Sequence, residues 1–307
     1  MRVIRERRFK HGAVNHVYQR TLNRFNIFYD LHDYLVYFTI FCTVARKYGI
    51  CVYSLCLMID HIHSLVTASC KSVLSNFISN VTSVFVREYN SSLGRKGPLF
   101  EKRFGSAPKI DKKRLMSAII YLGNNPVEKQ ICSKAELYQW NFLAYMVSSH
   151  PFSDPIPDKV SENLETALGV VDWCHASGKY LNHALLQNLW KKLSDQERKQ
   201  LSDYIIVKYN VIDYVGLKSY FGSYEQMLLS MHSTTGSEYD LKEYTDKSSD
   251  IIYHEMKRCL SESGVGMCRK MIIQPLNLKR ELFRYLKSCT GATHCQIRKF
   301  LHLKDEP

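Results

Sequence analysis

Between residues 13 and 125 the apolar residues switch repeatedly between two-residue and three-to-four-residue spacing, and the order of those switches leaves few folds open. Ala13–Leu22 (AVNHVYQRTL) alternates apolar and polar positions as a half-buried strand does. From Leu31 to Tyr48, the residues Leu35, Val36, Phe38, Ile40, Phe41, Val44 and Ala45 are dense enough for a helix buried on most of its surface, with Gly49 as its stop. Cys51–Met58 and His61–Ala68 read as adjacent strands joined by a turn at Ile59 and Asp60. A second helix, Ser72–Ser92, carries Leu74, Phe77, Ile78, Val81, Val84 and Phe85 at helical intervals and breaks at Gly94–Pro98. A short basic strand, Phe104–Ile110, leads into a third helix, Lys112–Asn125, which Pro126 is expected to stop. The series predicts an α+β fold, an antiparallel sheet with helices packed on it.

The rest of the chain obeys a different pattern. Residues 150–158 (HPFSDPIPD) hold three of the eight prolines and no long apolar stretch, which predicts a linker between a domain at 1–149 and a second region at 159–307. Apolar spacing beyond the linker is helical throughout, so that region is expected to be all-helical. Charge divides along the same line. Of the formal +13, residues 1–150 carry +12, residues 151–256 carry −6 and residues 257–307 carry +7. Such an excess points to nucleic acid or an anionic surface, and it centres the search for chemistry on the first half. The apolar stretch Leu35–Ala45 is eleven residues, about half of the ~20 that cross a bilayer, so no membrane span is expected. The ten cysteines form no CxxC pair and read as reduced core thiols. With no secretory leader evident, a cytoplasmic, nucleoid-associated location is expected.

His61-Ile62-His63 is the sharpest chemical feature. On a strand the two imidazoles project from one face while Ile62 points to the other, and two neutral imidazoles side by side can hold a divalent metal. Taken alone the pair reads more readily as solvent-facing or structural histidines, since an HxH occurs often by chance in a chain with 12 histidines. Its context adds weight. Met58-Ile59-Asp60-His61-Ile62-His63 follows a strand, and Ile120-Tyr121-Leu122-Gly123-Asn124-Asn125-Pro126-Val127 closes a helix some 58 residues later. Tyr121 and Asn125 stand i and i+4, on one helix face. Among 20 tyrosines, many of them packing residues, Tyr121 stands out for the Asn four positions on and the proline that follows.

In this order and spacing, with Tyr89-Asn90, Gly97-Pro98-Leu99-Phe100 and Lys102-Arg103-Phe104 between, the chain resembles the HUH single-tyrosine transposases of the IS200-like superfamily, most closely their REP-associated branch. The resemblance covers roughly residues 10–145. It implies an HUH/ferredoxin-like α/β sandwich, Mg²⁺ or Mn²⁺ held by His61, His63 and Asn125, and Tyr121 as the nucleophile on single-stranded, hairpin-associated DNA. Asp60 is a candidate for supporting the site or acting as base, with a plain turn residue as the alternative. Gly123 departs from the bulkier residue common in the family and is read as room for DNA to approach.

Basic residues surround these motifs: Arg5, Arg7, Arg8 and Lys10 in the arm, Arg95, Lys96, Lys102 and Arg103 in the middle, and Lys112, Lys113 and Arg114 before the catalytic helix. They are expected to neutralise phosphates. Phe9, Phe100 and Phe104 lie among them, either stacking on bases or belonging to the core. In the tail, Asn277–Ser288, a break at Thr290-Gly291 and Thr293–Leu301 suggest a helix-turn-helix at 277–301 whose second helix offers Arg298 and Lys299 to DNA, with simple packing as the rival. A homodimer is left open. The competing functions are a replication initiator or relaxase of the same chemistry, and a DNA-binding regulator that keeps the site without turnover.

Overall fold

The computed structural model describes residues 8–101, 104–233, 249–262 and 268–304. Its sheet has four strands, β1 (Val14–Arg20), β2 (Cys51–Met58), β3 (His61–Thr67) and β4 (Gly105–Lys109), in the order β2-β3-β1-β4, every neighbouring pair antiparallel. With α1 (Leu31–Tyr48), α2 (Lys71–Leu93) and α3 (Lys112–Glu128) this is the split βαβ arrangement of a ferredoxin-like sandwich. The expected order of elements is therefore observed.

Local chemistry sets the boundaries. Asp30 and Asp33 form a reciprocal capping box at the start of α1, and Gly49, at φ 60°, closes it in the left-handed conformation. Asp111 accepts from the Arg114 amide at 2.8 Å and starts α3. Pro126 does not stop α3, which runs on to Glu128. A proline this close to the end removes only its own bond back to the preceding turn, and Lys129 N closes the helix on Asn125 O at 3.1 Å.

The sheet separates two layers. Gln19 donates to Thr82 of α2 at 3.1 Å on one side, where Phe41 meets Phe77 and Tyr37 meets Phe85 edge to face. The other side receives α3. Both sheet edges are covered, as unpaired strands generally must be. Asp213 N bonds Val52 O at 2.7 Å beside β2, and Arg8 N bonds Ser106 O at 3.0 Å beside β4.

The second half is helical: α4 (Glu162–Ala176), α5 (His183–Trp190), α6 (Asp195–Tyr209), α7 (Tyr214–Ser219), α8 (Tyr224–Ser233), α9 (Ile252–Glu262), α10 (Leu276–Cys289) and α11 (His294–Leu301). No strand lies beyond Lys109 among the described residues, and none of their helices is long and apolar enough to cross a membrane. Residues 150–158 do not hang free. Phe152 N and Ser153 Oγ both donate to Asp203 of α6 at 3.0 Å. The core-thiol reading suits Cys42, Cys56, Cys174 and Cys259, whereas Cys70, Cys289 and Cys295 are exposed.

Helical half and sandwich share a buried charge cluster. Asp33, with no exposed surface, meets Arg269 Nε at 2.9 Å and His183 Nε2 at 3.0 Å. Burial pushes the Asp33 carboxyl up, but Arg269 and then His183 outweigh it and hold it below the usual range. Burial pushes His183 down against the pull of Asp33, so His183 donates as a neutral ring and Arg269 supplies the countercharge. Arg269 also lies over the Tyr89 ring, 4.2 Å from its centroid.

The tail docks near the start of α1. Tyr29 Oη donates to Phe300 O, and His302 Nε2 donates to Asn26 O at 2.6 Å. His302 is pushed down to about 3 by burial, against the hydrogen bond to Asn26. A histidine whose folded pKa lies below its unfolded value refuses a proton that the unfolded chain accepts, so its contribution is present above pH 6.5 and is lost as pH falls. His302→Asn suits the left-handed backbone there, at φ 55°. Relative to this variant, wild type should lose about 2 kcal/mol between pH 7 and pH 5. Urea denaturation of both proteins at the two pH values measures it, and parallel losses would refute it.

Candidate active site

The strand register gathers the site. β3 presents His61 and His63 on one face, and β1 sets Arg20 opposite His61, Tyr18 opposite His63 and His16 opposite Leu65. β4 adds Gly105, Ala107 and Lys109 to the same face. Tyr18 depends on Gly105, because a Cβ there would stand 2.0 Å from the Tyr18 Cζ. α3 crosses this face and brings Tyr121 and Asn125, one turn apart, against the histidines. The Tyr121 ring lies edge-on to His63 at 5.6 Å and to His16 at 6.2 Å. Asn125 Oδ1 is 3.3 Å from His61 Nε2, and the His61 and His63 rings are 5.0 Å apart. His61, His63, Tyr121 and Asn125 are thus brought into one buried centre, their exposures running from 1% to 8%.

Each histidine is held from behind. Asp60 Oδ1 lies 2.5 Å from His61 Nδ1, and Arg24 pairs with the other Asp60 oxygen at 3.6 Å. Burial pushes the Asp60 carboxyl up, but His61 first, then Arg24 and Lys299, hold it far below the usual carboxylate range. Asp60 is therefore an anion that orients His61. His63 Nδ1 meets His16 Nε2 at 2.9 Å, the two rings stacked at 5.1 Å. Burial, with Lys109 nearby, pushes His16 down to about 3, so it stays neutral.

The donor set suits a hard divalent cation. His61 Nδ1 is engaged by Asp60, which leaves Nε2 facing the Asn125 carbonyl oxygen at 3.3 Å, and an imidazole nitrogen beside an amide oxygen is a donor pair that such a cation accepts. The amide's own Nδ2 is buried without a hydrogen-bond partner. No group of three or more His, Cys, Asp or Glu gathers as a metal site among the described residues, so the candidate ligands are two imidazoles and one amide oxygen.

Other sequence-predicted residues fall in varied places. Arg8, Lys10, Lys96, Lys112, Lys113 and Arg114 are exposed, while Arg5, Arg7, Lys102 and Arg103 lie outside the described residues. Arg95 is committed to the turn after α2, donating to Asn90 Oδ1 at 2.7 Å and to Pro98 O at 3.0 Å. Phe100 and Phe104 are core residues, 4% and 6% exposed, and Phe9 packs partly against the core. Gly123 makes room for protein, not DNA. A Cβ there would lie 2.7 Å from the Met231 Sδ and Cε of α8, and Asn124 Nδ2 donates to Met231 O at 2.7 Å.

The pair α10–α11 lies against the sandwich. Gln296 is buried on the Ser249 carbonyl, Arg298 donates to Lys304 O, and the Lys299 carbonyl accepts from Asn26 N at 3.2 Å. The Lys299 charge acts on Asp60 and on Asp250. Asp250 is pushed up to about 6, by burial and then by Asp60. His16, Tyr18 and Asp250 escaped the sequence reading. For His16 and Tyr18 the alternation of Ala13–Leu22 was a usable signal, since both share a strand face with Arg20, but the pairing that sets this face beside His61 and His63 was not legible.

Residues 10–125 match the family described as IS200-like transposases. The resemblance read from the motifs is borne out over that stretch. Among solved structures, a REP-associated tyrosine transposase bound to a REP hairpin is similar at 14% identity, with 51% of this chain and 92% of that chain covered and a TM-score of 0.41. No curated protein matches.

Proposed function

We propose that the protein is a metal-dependent, single-strand-specific DNA endonuclease and strand transferase of the HUH transposase type, acting on hairpin-associated DNA. The observation that carries this reading is the meeting of His61 Nε2 with Asn125 Oδ1 at 3.3 Å beside the Tyr121 ring, from strand and helix segments about 60 residues apart. His61, His63 and Asn125 would hold Mg²⁺ or Mn²⁺, which when bound polarises the scissile phosphate as a Lewis acid. Tyr121 Oη forms the new bond to phosphorus as the bond to the 3′-oxygen breaks, giving a 5′-phosphotyrosine and a 3′-OH. The tyrosine proton leaves and the departing 3′-oxygen takes one up. Energy stored in the ester allows a second strand to be joined without a nucleotide cofactor. Lys109 on the catalytic face and the exposed Lys112, Lys113 and Arg114 at the start of α3 supply positive charge for the strand.

The test is a 5′- or 3′-labelled single-stranded hairpin oligonucleotide incubated with the full chain. A denaturation-resistant protein–DNA adduct should form with Mg²⁺ or Mn²⁺ and disappear with EDTA. Tight binding without adduct on a panel of hairpins would replace this reading with the regulator, which the 4% exposure of Tyr121 favours.

A further inference from the structure

Resting on that reading, we propose that His16 is a positioning residue for the metal site, accepting a hydrogen bond from His63 Nδ1 and so fixing the tautomer in which His63 Nε2 is a ligand. His16 has no exposed surface, its Nε2 stands 2.9 Å from His63 Nδ1, and the two rings are stacked within 26° of parallel. Its other nitrogen, Nδ1, is buried without a hydrogen-bond partner. The bond to His63 is therefore the polar commitment of a side chain placed in the middle of β1, where an apolar residue would cost less.

Two neutral imidazoles in contact share one proton between them and carry the second on an outer nitrogen. With the shared proton on His63 Nδ1, the His16 proton sits on Nδ1 and His63 Nε2 keeps a lone pair. With the shared proton on His16 Nε2, the His63 proton is forced to Nε2, and that nitrogen cannot ligate. His63 is thus a ligand only while His16 accepts. The arrangement parallels His61, whose Nδ1 faces Asp60 at 2.5 Å, with a neutral acceptor in place of an anionic one. The strand register is what delivers it. His16 stands opposite Leu65, one same-face position along from His63, close enough for the two rings to overlap.

The experiment is a Mn²⁺ titration of the full chain without DNA, followed by the electron paramagnetic resonance signal of free Mn²⁺. His16→Leu, which keeps the volume and loses the acceptor, should weaken binding about 10–100-fold. His16→Gln, whose Oε1 can accept from His63, should stay within roughly threefold of wild type, a rescue that a packing role would not give. Independently of any variant folding, ¹⁵N–¹H spectra of Mg²⁺-saturated wild type should place the His63 proton on Nδ1. If His61→Ala abolishes Mn²⁺ binding while His16→Leu retains wild-type affinity, the role of His16 is overturned and the metal site stands. A His63 proton on Nε2 in the saturated protein overturns it equally. Absence of Mn²⁺ binding by wild type removes the metal site itself and the inference with it.

Discussion

Tyr121→Phe should form no covalent adduct with a cleavable hairpin oligonucleotide and should lower strand cleavage by roughly 10⁴-fold or more, the scale on which a covalent mechanism fails without its nucleophile. The substitution removes one oxygen and leaves the ring against His63 and His16, so the α3–β3 interface persists. DNA affinity should therefore hold within about twofold by fluorescence anisotropy, since phosphate contacts supply most of the binding energy. Fold loss is not the cause to expect. A single hydrogen bond contributes about 1 kcal/mol, a small part of a domain's stability. Mass spectrometry of the wild-type adduct after nuclease digestion should find the nucleotide on Tyr121. An adduct that persists in Tyr121→Phe would move the nucleophile to another tyrosine and end the assignment.

His61→Ala and His63→Ala should each abolish cleavage in Mg²⁺ or Mn²⁺ and leave most of the DNA affinity intact. The two are not equivalent in their side effects. His61→Ala strips the hydrogen-bond partner from Asp60, whose remaining close partner is Arg24 at 3.6 Å, and leaves a carboxylate half-buried. His63→Ala leaves His16, a neutral ring, without its bond to His63. Stability should therefore fall more in His61→Ala, by about 1–3 kcal/mol as a buried polar partner is lost. Gel-based cleavage, anisotropy and urea denaturation together separate chemistry from binding and folding. Undiminished cleavage in either variant would contradict the proposed ligand set.

Much of the sandwich was legible because its signals are local. The period of apolar residues and the glycines at 49 and 94, both left-handed in the structure, act within a turn or two of the elements they define. Pro126 shows where a local rule fails, since its cost is small in the last turn and the helix continues through it. Strand and helix periodicity pairs His61 with His63 and Tyr121 with Asn125, because each element fixes which of its residues share a face, and the resemblance to the transposase family is what implied that the two pairs meet. His16, Asp250 and Lys299 could not. Their proximity depends on strand register and on how α9 and α11 dock, and neither leaves a periodic trace. Gly123 failed for the same reason, its neighbour Met231 being supplied by a helix from the far half of the chain.

The Asp33 cluster gives the order of synthesis a structural meaning. Asp33 stands in the first turn of α1 and leaves the ribosome well before its countercharge Arg269 and its neutral partner His183. Until those residues emerge, the sandwich must either keep this carboxylate wet, with the start of α1 unpacked, or bury a bare anion at a cost of several kcal/mol. At bacterial or eukaryotic elongation rates of about 5–20 residues per second, more than 230 residues separate the two events, a delay on the order of tens of seconds. A nascent chain in which His61, His63, Tyr121 and Asn125 have already emerged thus still lacks the charge that closes α1, and the sandwich waits on Arg269 to finish its packing.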